Sequence, residues 1–243
     1  MHLVGALILA ATLVPQQVTS TRFGRLVQRA DPVYCAAPRG RGFALTFDDG
    51  PGPYTVRLTQ VLRRGHARAT FFVVGSRVEM FRSGARAAAR TGVLGNHTWS
   101  HAHLRSLSPD EARRELVETQ RAVGRMIGSV PRLFRPPYDE AAPEHELIAR
   151  SLDLLDIRWS VDSGDSRVGA TPRAVLRTVR AGLRPGAIVL LHDLHPWTPA
   201  VVSRILRIAH RRGLRPVTIP DLLRRQPPSL AQLGSTGSGR CPA

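Results

Sequence analysis

Two adjacent aspartates, Asp48 and Asp49, close the apolar run of TFDDGP (46–51), and two histidines, His97 and His101, stand four residues apart in HTWSH (97–101). Neighbouring carboxylates repel, so a chain that needed only a turn has no use for both. Two histidines and one carboxylate form a three-ligand set of the kind that catalytic zinc uses, with a fourth position left for water. On a helical turn the spacing of His97 and His101 directs both to one metal. Alone, such a pair is a weak signal and more often two surface or core histidines. The aspartate pair shifts that balance: one carboxylate holds a cation, the other takes a proton, and the cation's charge relieves their repulsion.

Other polar residues recur just past apolar runs: Arg135, then Asp162 with Asp165, then His192 with Asp193. The runs themselves read as strands at 43–48, 69–75, 93–96, 132–136, 154–161, 187–191 and 215–219. Helical periodicity fills most gaps, at 55–64, 77–90, 144–152, 172–182 and 198–212. The clearest helix opens at Ser108, with Pro109 in its first position and Glu111 closing a capping box, and runs through Leu116, Val123 and Ile127 to Gly128. Strand and helix in alternation imply a parallel sheet wrapped by helices. With about seven strands and no Gly-rich phosphate loop after the first, a (β/α) barrel fits better than an open sheet. In such a barrel the strand ends share one face, which is where active sites are built.

Together TFDDGP (46–51), HTWSH (97–101), RPPY (135–138), VDSGD (161–165) and IVLLHD (188–193) resemble the five ordered motifs of the polysaccharide deacetylases, over roughly residues 43 to 223. These are carbohydrate esterases that share the nodulation-type chitooligosaccharide deacetylase domain. The resemblance implies a metal-dependent hydrolase on a distorted (β/α) barrel, removing N-acetyl groups from a GlcNAc-containing polymer such as peptidoglycan or chitin fragments. It matches Asp49, His97 and His101 to the ligands of one divalent ion, zinc by preference, with cobalt, nickel or manganese suited to the same donors. It matches Asp48 to the catalytic base, His192 to the general acid, Arg135 to the residue that holds the base, and Asp165 to the one that orients the acid. The backbone N–H of Tyr138 would help the metal bind the oxyanion, and Leu190 would line the acetyl pocket.

Around these, Trp197 is the candidate for stacking on a sugar ring, being on the loop after His192. Trp99 and Trp159 are expected in the core, His103 and His195 on loops or the surface, and Asp193 as a brace. Three features depart from the family pattern: Ser166 stands where a Trp is usual, Asp139 where a Gly is usual, and TGVLGNH (91–97) is short. None removes a metal ligand or a proton-transfer residue; they bear on substrate preference. The same chemistry would serve an O-acetyl esterase on xylan. A non-catalytic basic binder of wall polymer or nucleic acid is the reading from another class, and the Asp48/His192 pair argues against it.

The bulk numbers frame these readings. At 243 residues, 42% hydrophobic and 22% charged, the chain suits one large globular domain. Its formal net charge is +17, and every one of the 35 basic residues is Arg. The arginines are spread through nearly every expected helix rather than gathered in blocks, as GC-rich codon usage would leave them, so no specific nucleic-acid partner is expected. Electrostatic attraction to an anionic wall polymer is. The apolar run Leu3–Val14 is too short to span a bilayer and fits the core of a signal peptide over 1–20, although His2 replaces the usual basic residue. Export to the cell envelope or medium is expected, with no transmembrane segment in the mature protein. Residues 21–40 read as a polar lead-in, 41–225 as the deacetylase domain, and 226–243 as a flexible tail. Cys35 and Cys241 would close almost the whole mature chain as one disulfide loop in an oxidising compartment; two free thiols are the alternative.

Overall fold

The computed structural model describes residues 22–29, 31–233 and 241; the expected signal peptide and the last part of the expected tail lie outside these. Among these residues there are eight strands: β1 Gly42–Asp48, β2 Ala69–Val73, β3 Gly92–Asn96, β4 Leu133–Phe134, β5 Leu155–Asp156, β6 Val161–Asp162, β7 Ile188–His192 and β8 Arg215–Val217. The described helices are α1 Arg22–Arg29, α2 Thr55–Arg64, α3 Gly75–Met80, α4 Arg82–Thr91, α5 Pro109–Ile127, α6 Pro143–Ser151, α7 Pro172–Gly182, α8 Thr198–Arg211, α9 Ile219–Arg225 and α10 Leu230–Leu233. None among the described residues is long and apolar enough to cross a membrane.

All strand pairs are parallel, in the order β5-β4-β3-β2-β1-β7-β6, with β8 paired to the first residues of β1. The stretch expected as one strand over 154–161 is two. β5 sits at one edge of the sheet and β6 at the other, and residues 157–160 carry the chain between them. So short a link keeps the two edges close, since an extended chain covers at most ~3.6 Å per residue. The sheet is therefore curled into a distorted barrel, as expected.

Alternation along the strands separates two apolar layers. Phe43, Leu45 and Phe47 of β1 pack outward with Phe71 of β2 and Val189 and Leu191 of β7, against α2, α4, α7 and α8. Ala44, Phe72 and Ile188 face the other way, into the barrel, with Leu133 and Ile157. Towards the strand ends the inward set turns polar: in register, Ala44, Thr46 and Asp48 lie beside Ile188, Leu190 and His192. That progression brings Asp48 and His192 to the same level on neighbouring strands.

The capping box at α5 is as expected, with Ser108 N–H donating to Glu111 at 2.8 Å and Gly128 ending the helix at φ 73°. Several boundaries differ from the sequence reading. The helix expected over 77–90 breaks at Phe81 into α3 and α4. The lead-in is not irregular: α1 packs Val27, and the following Val33 bridges Ile157, into the inner core. Nor does the chain loosen at residue 226. The Gln226 side chain accepts from Gly42 N–H at 3.0 Å and donates to Ala37 C=O at 2.9 Å, and Leu233 is buried in the same core. A Cβ at Gly42 would stand 2.5 Å from Gln226 Oε1, so that approach requires glycine. Cys35 and Cys241 are joined, with Cα atoms 6.1 Å apart.

Candidate active site

Asp48 is buried at the end of β1, and its partner is an arginine with no exposed surface at all. Arg135, just past β4, points across the barrel interior. Its guanidinium donates to Asp48 Oδ1 and Thr46 Oγ1 at 2.8 Å each, and to the carbonyls of Ile157 at 2.8 Å and Arg158 at 2.9 Å. Phe72 and Trp159 flank it, 4.2 and 5.5 Å from ring centre to guanidinium carbon. Burial pulls the Arg135 pKa down and Asp48 opposes it; the group stays cationic because arginine starts so high. One carboxylate oxygen of Asp48 is thereby fixed, while Oδ2 faces His97 Nε2 at 3.8 Å.

Asp49 follows in the left-handed region, φ 69°, which turns its carboxylate away from that of Asp48. Its Oδ1 lies 3.3 Å from His97 Nε2 and 2.9 Å from His101 Nε2. Burial would raise the Asp49 pKa, but the imidazoles of His101 and His97 beside it hold the carboxyl far below the usual range. The two histidines do not lie on a helical turn, as the spacing suggested. HTWSH is an irregular loop after β3, with Thr98 and His101 at φ 64° and 62°. Asn96 accepts from Thr98 N–H, and Glu115 of α5 accepts from the N–H groups of Trp99 and Ser100. These bonds hold an otherwise strained loop in place.

The outer nitrogens of both rings are occupied. His97 Nδ1 can only donate to Arg135 C=O, at 2.7 Å, so Nε2 carries the lone pair. His101 Nδ1 meets Tyr138 Oη at 3.0 Å. Such outer partners fix tautomer and ring direction in metal sites. Asp49 Oδ1 is a buried oxygen without a hydrogen-bond partner of good geometry. An Asp–His–His set with ligand atoms within 4.8 Å of one another, converging on that oxygen, fits a divalent cation.

Across from Asp48, His192 Nδ1 lies 2.7 Å from Asp165 Oδ1, while Asp165 Oδ2 accepts from His192 N–H at 2.7 Å. Its other nitrogen, Nε2, is 4.0 Å from Asp49 Oδ2. Burial lowers the His192 pKa, but the Asp165 hydrogen bond and the charges of Asp165, Asp48 and Asp49 outweigh it and raise the value to about 9. Asp193 braces the neighbouring turns: it accepts from Thr55 Oγ1, which in turn accepts from Gly52 N–H at 2.7 Å. Burial pushes its carboxyl up to about 7 against that hydrogen bond.

These groups surround a cleft of about 250 Å³ that Leu190, Tyr138, Asp139, Trp159, Asp162 and Ser166 also line. Trp197 does not reach it; its ring stacks on His195 at 4.6 Å and packs on the outer core. Trp159 packs against the inner core, as expected, and also lines the cleft, which only its closeness to VDSGD in the chain hinted at. His103 stacks on Tyr138, 3.9 Å between ring centres, and pairs with Glu140. Asp139, at φ 60° after Tyr138 at 58°, is paired with Arg158, which also grips Asp156 through two bonds of 2.8 Å. The carboxylate at the usual glycine position is thus drawn to a guanidinium. Sequence reasoning missed Arg158 altogether.

A family model described as polysaccharide deacetylase matches residues 36–155. A chitooligosaccharide deacetylase of Bradyrhizobium sp. is 36% identical over 202 residues, covering 75% of this chain and 90% of its own. The chain belongs to the polysaccharide deacetylase family. Another family member, a peptidoglycan-N-acetylglucosamine deacetylase of Listeria monocytogenes, is 35% identical over 76% of this chain; the chain spans 40% of that relative's length. Among solved structures, a family 4 carbohydrate esterase pseudoenzyme from Bacillus anthracis superposes with a TM-score of 0.74 at 28% identity, covering 79% of this chain and 68% of its own. The family thus includes a pseudoenzyme, so activity depends on which residues a member's site carries. The family and the Asp–His–His set together suggest a divalent metal.

Proposed function

We propose that this deacetylase-family chain is a metal-dependent N-deacetylase acting on a GlcNAc-containing glycan of the cell envelope, peptidoglycan or a chitin-type oligosaccharide. One observation carries the reading. Asp48, held by Arg135, and His192, held by Asp165, flank the Asp49–His97–His101 set from two sides of one small cleft. A binding module has no use for a fixed base and a fixed acid on either side of a cation site.

Asp49, His97 and His101 would hold the ion, zinc by the choice of donors, with cobalt, nickel or manganese as substitutes. When bound, a divalent ion there supplies a Lewis acid that polarises the acetyl carbonyl and makes water easier to deprotonate. Asp48 takes the proton of the attacking water, its unpaired Oδ2 being the oxygen available. Arg135 keeps the carboxylate in place. His192 delivers a proton from Nε2 to the leaving amine, without which the tetrahedral species collapses back to amide. Asp165 on Nδ1 keeps the imidazole cationic and aimed. The Tyr138 segment lies against the site where the carbonyl oxygen gains charge, and Leu190 offers an apolar wall to the acetyl methyl. Trp159, which lines the cleft, is the tryptophan that can stack on a sugar ring.

The apolar leader run, the Cys35–Cys241 bridge and the glycan substrates named for the relatives support action outside the cytoplasm. The test is acetate release from peptidoglycan, chitooligosaccharides and acetylxylan, with metal content measured on the same sample. N-acetyl release that disappears on chelation and returns with zinc is expected. Release from acetylxylan alone would make the enzyme an O-acetyl esterase, and no release from any of the three by metal-loaded protein would refute the proposal.

A further inference from the structure

The excess positive charge is not spread evenly over the molecule. Helices α4, α2, α8 and α7 each carry three arginines and no acidic residue. They pack side by side in that order, α4 on α2, α2 on α8 and α8 on α7, and every one of these arginines is exposed. None makes an ion pair among the described residues, whereas Arg121, Arg125 and Arg224 elsewhere do. Helix α5 is built differently, with four arginines balanced by Asp110, Glu111, Glu115 and Glu118. Codon usage that favours arginine cannot produce that contrast, because it would act on α5 as well. Arginine is scattered through nearly every helix, as the sequence indicates, but the fold sets these four, none with an acidic residue, side by side as one basic wall.

The wall has a groove. Between α7 and α8 a depression of about 460 Å³ is bordered by Arg173, Arg177, Arg180, Arg211 and Arg212, with Leu176 and Ile208 at its floor and no carboxylate. Arg212 donates to the carbonyls of Arg180 and Leu183, tying the ends of the two helices together. Guanidinium groups facing one groove repel each other, so the arrangement is least favourable when nothing negative lies between them. On α7 the arginines follow at four and three residues, steps of about 6 and 4.5 Å along the axis.

We infer that this wall, centred on the α7–α8 groove, binds a linear polymer with a phosphodiester in each short repeat, holding the enzyme on an anionic envelope layer while the cleft stays free. The planar guanidinium fork matches phosphate oxygens two at a time. The close spacing suits a polymer charged at every short unit better than one charged once per disaccharide. None of the wall arginines lines the cleft, so polymer and substrate do not compete. The choice of an envelope polymer over a nucleic acid rests on the proposed glycan substrate; the basic wall does not.

The test is binding of the full chain to poly(glycerol phosphate), duplex DNA, hyaluronate and dextran across a salt series. Two quadruple variants are compared, Arg173→Gln/Arg177→Gln/Arg180→Gln/Arg211→Gln and, as the charge-matched control, Arg113→Gln/Arg114→Gln/Arg121→Gln/Arg125→Gln. Poly(glycerol phosphate) should bind most tightly. The first variant should lose at least about ten-fold in affinity with a shallower salt dependence, and the control should change less than about two-fold. Acetate release from a soluble chitooligosaccharide should be the same in both, and binding is read without it, so failure of the deacetylase reading leaves this result intact. Equal losses in the two variants would reduce the effect to net charge. Tighter binding of DNA or hyaluronate through the same arginines would give the wall another occupant, and absence of binding would leave it none; each overturns the inference.

Discussion

At the ends where the strands open on the cleft, Asp49, Thr98, His101, Tyr138 and Asp139 all hold positive φ, a region that residues with side chains seldom enter. At the opposite end, where only His66 and Asp153 among the described non-glycine residues hold positive φ, α1 and α9 seal the barrel with Val27, Ile219 and Leu222, and Gln226 satisfies the first amide of β1. Thr70 Oγ1 there accepts the first N–H of α9 at 3.0 Å. The contrast separates two tasks. One end gathers most of the positive-φ residues and the converging charge, which its neighbours hold in place; the other contributes stability and touches no reacting group. Substitutions at the two ends should therefore fail in different ways.

The largest expected effect is at the cleft, and it separates the two aspartates. Asp48→Asn keeps size and a hydrogen bond to Arg135 but cannot take a proton, so metal stays bound and kcat falls by ~10²–10⁴. Asp49→Asn replaces an anionic donor with a neutral one, so metal content drops and added metal restores part of the rate. Neither should move Tm by as much as a change at the sealed end. Metal stoichiometry measured beside kcat decides the matter; metal lost from Asp48→Asn and kept by Asp49→Asn would exchange the roles.

At the sealed end the effect should appear in stability alone. The Cys35–Cys241 bridge spans 206 residues, and such a loop constrains the unfolded chain strongly, so Cys241→Ser should lose about 2–5 kcal/mol. Gln226→Ala leaves the amide of Gly42 and the carbonyl of Ala37 without their partner and should lose about 1–3 kcal/mol. Chemical denaturation gives both values, and kcat at 25 °C should stay at the wild-type level. A fall in kcat alongside stability would show that the two ends are coupled.

How far this division could be read from sequence depends on the range of the interactions behind it. Strands β1, β2, β3 and β7 are buried on both faces, so they stand out as apolar runs. The segment 154–161 alternates apolar and polar residues from Leu155 on, as one half-buried strand would, yet it crosses from one edge of the sheet to the other. His97 and His101 were identifiable as a pair; their loop geometry was not, because it depends on Glu115, which is distant in the chain. Which tryptophan lines the cleft was hidden for a similar reason: it depends on the 157–160 link between the sheet edges, which puts Trp159 there, while Trp197 packs on the outer core. Arg158 and the basic wall are invisible in a linear reading. The first needs Asp139 brought to it, and the second exists only because four arginine-bearing helices are neighbours.

The smallest effect concerns His192 and tests whether its charge is set by the cleft. Burial alone would lower its pKa, yet the Asp165 hydrogen bond, with Asp165, Asp48 and Asp49 as charges, raises it to about 9. A raised imidazole contributes stability that is fully present below the unfolded value of ~6.5 and is lost as pH climbs through about 9. The same cationic form is the proton donor, so kcat should fall on the alkaline side. A divalent ion beside Asp49 opposes that charge and brings the alkaline limb below about 9 in the loaded enzyme. In Asp165→Asn the main support is gone, and the limb should move towards ~6.5. From protonation alone, the rate at pH 7 then drops by only about four-fold, because roughly a quarter of the imidazole is still charged. The loss should grow with each unit of pH above that, while the acid limb, set by another group, stays where it was. Rate profiles from pH 5 to 10 for both proteins, with metal content held equal, are the measurement. An alkaline limb that did not move in Asp165→Asn would mean that a group other than His192 protonates the leaving amine.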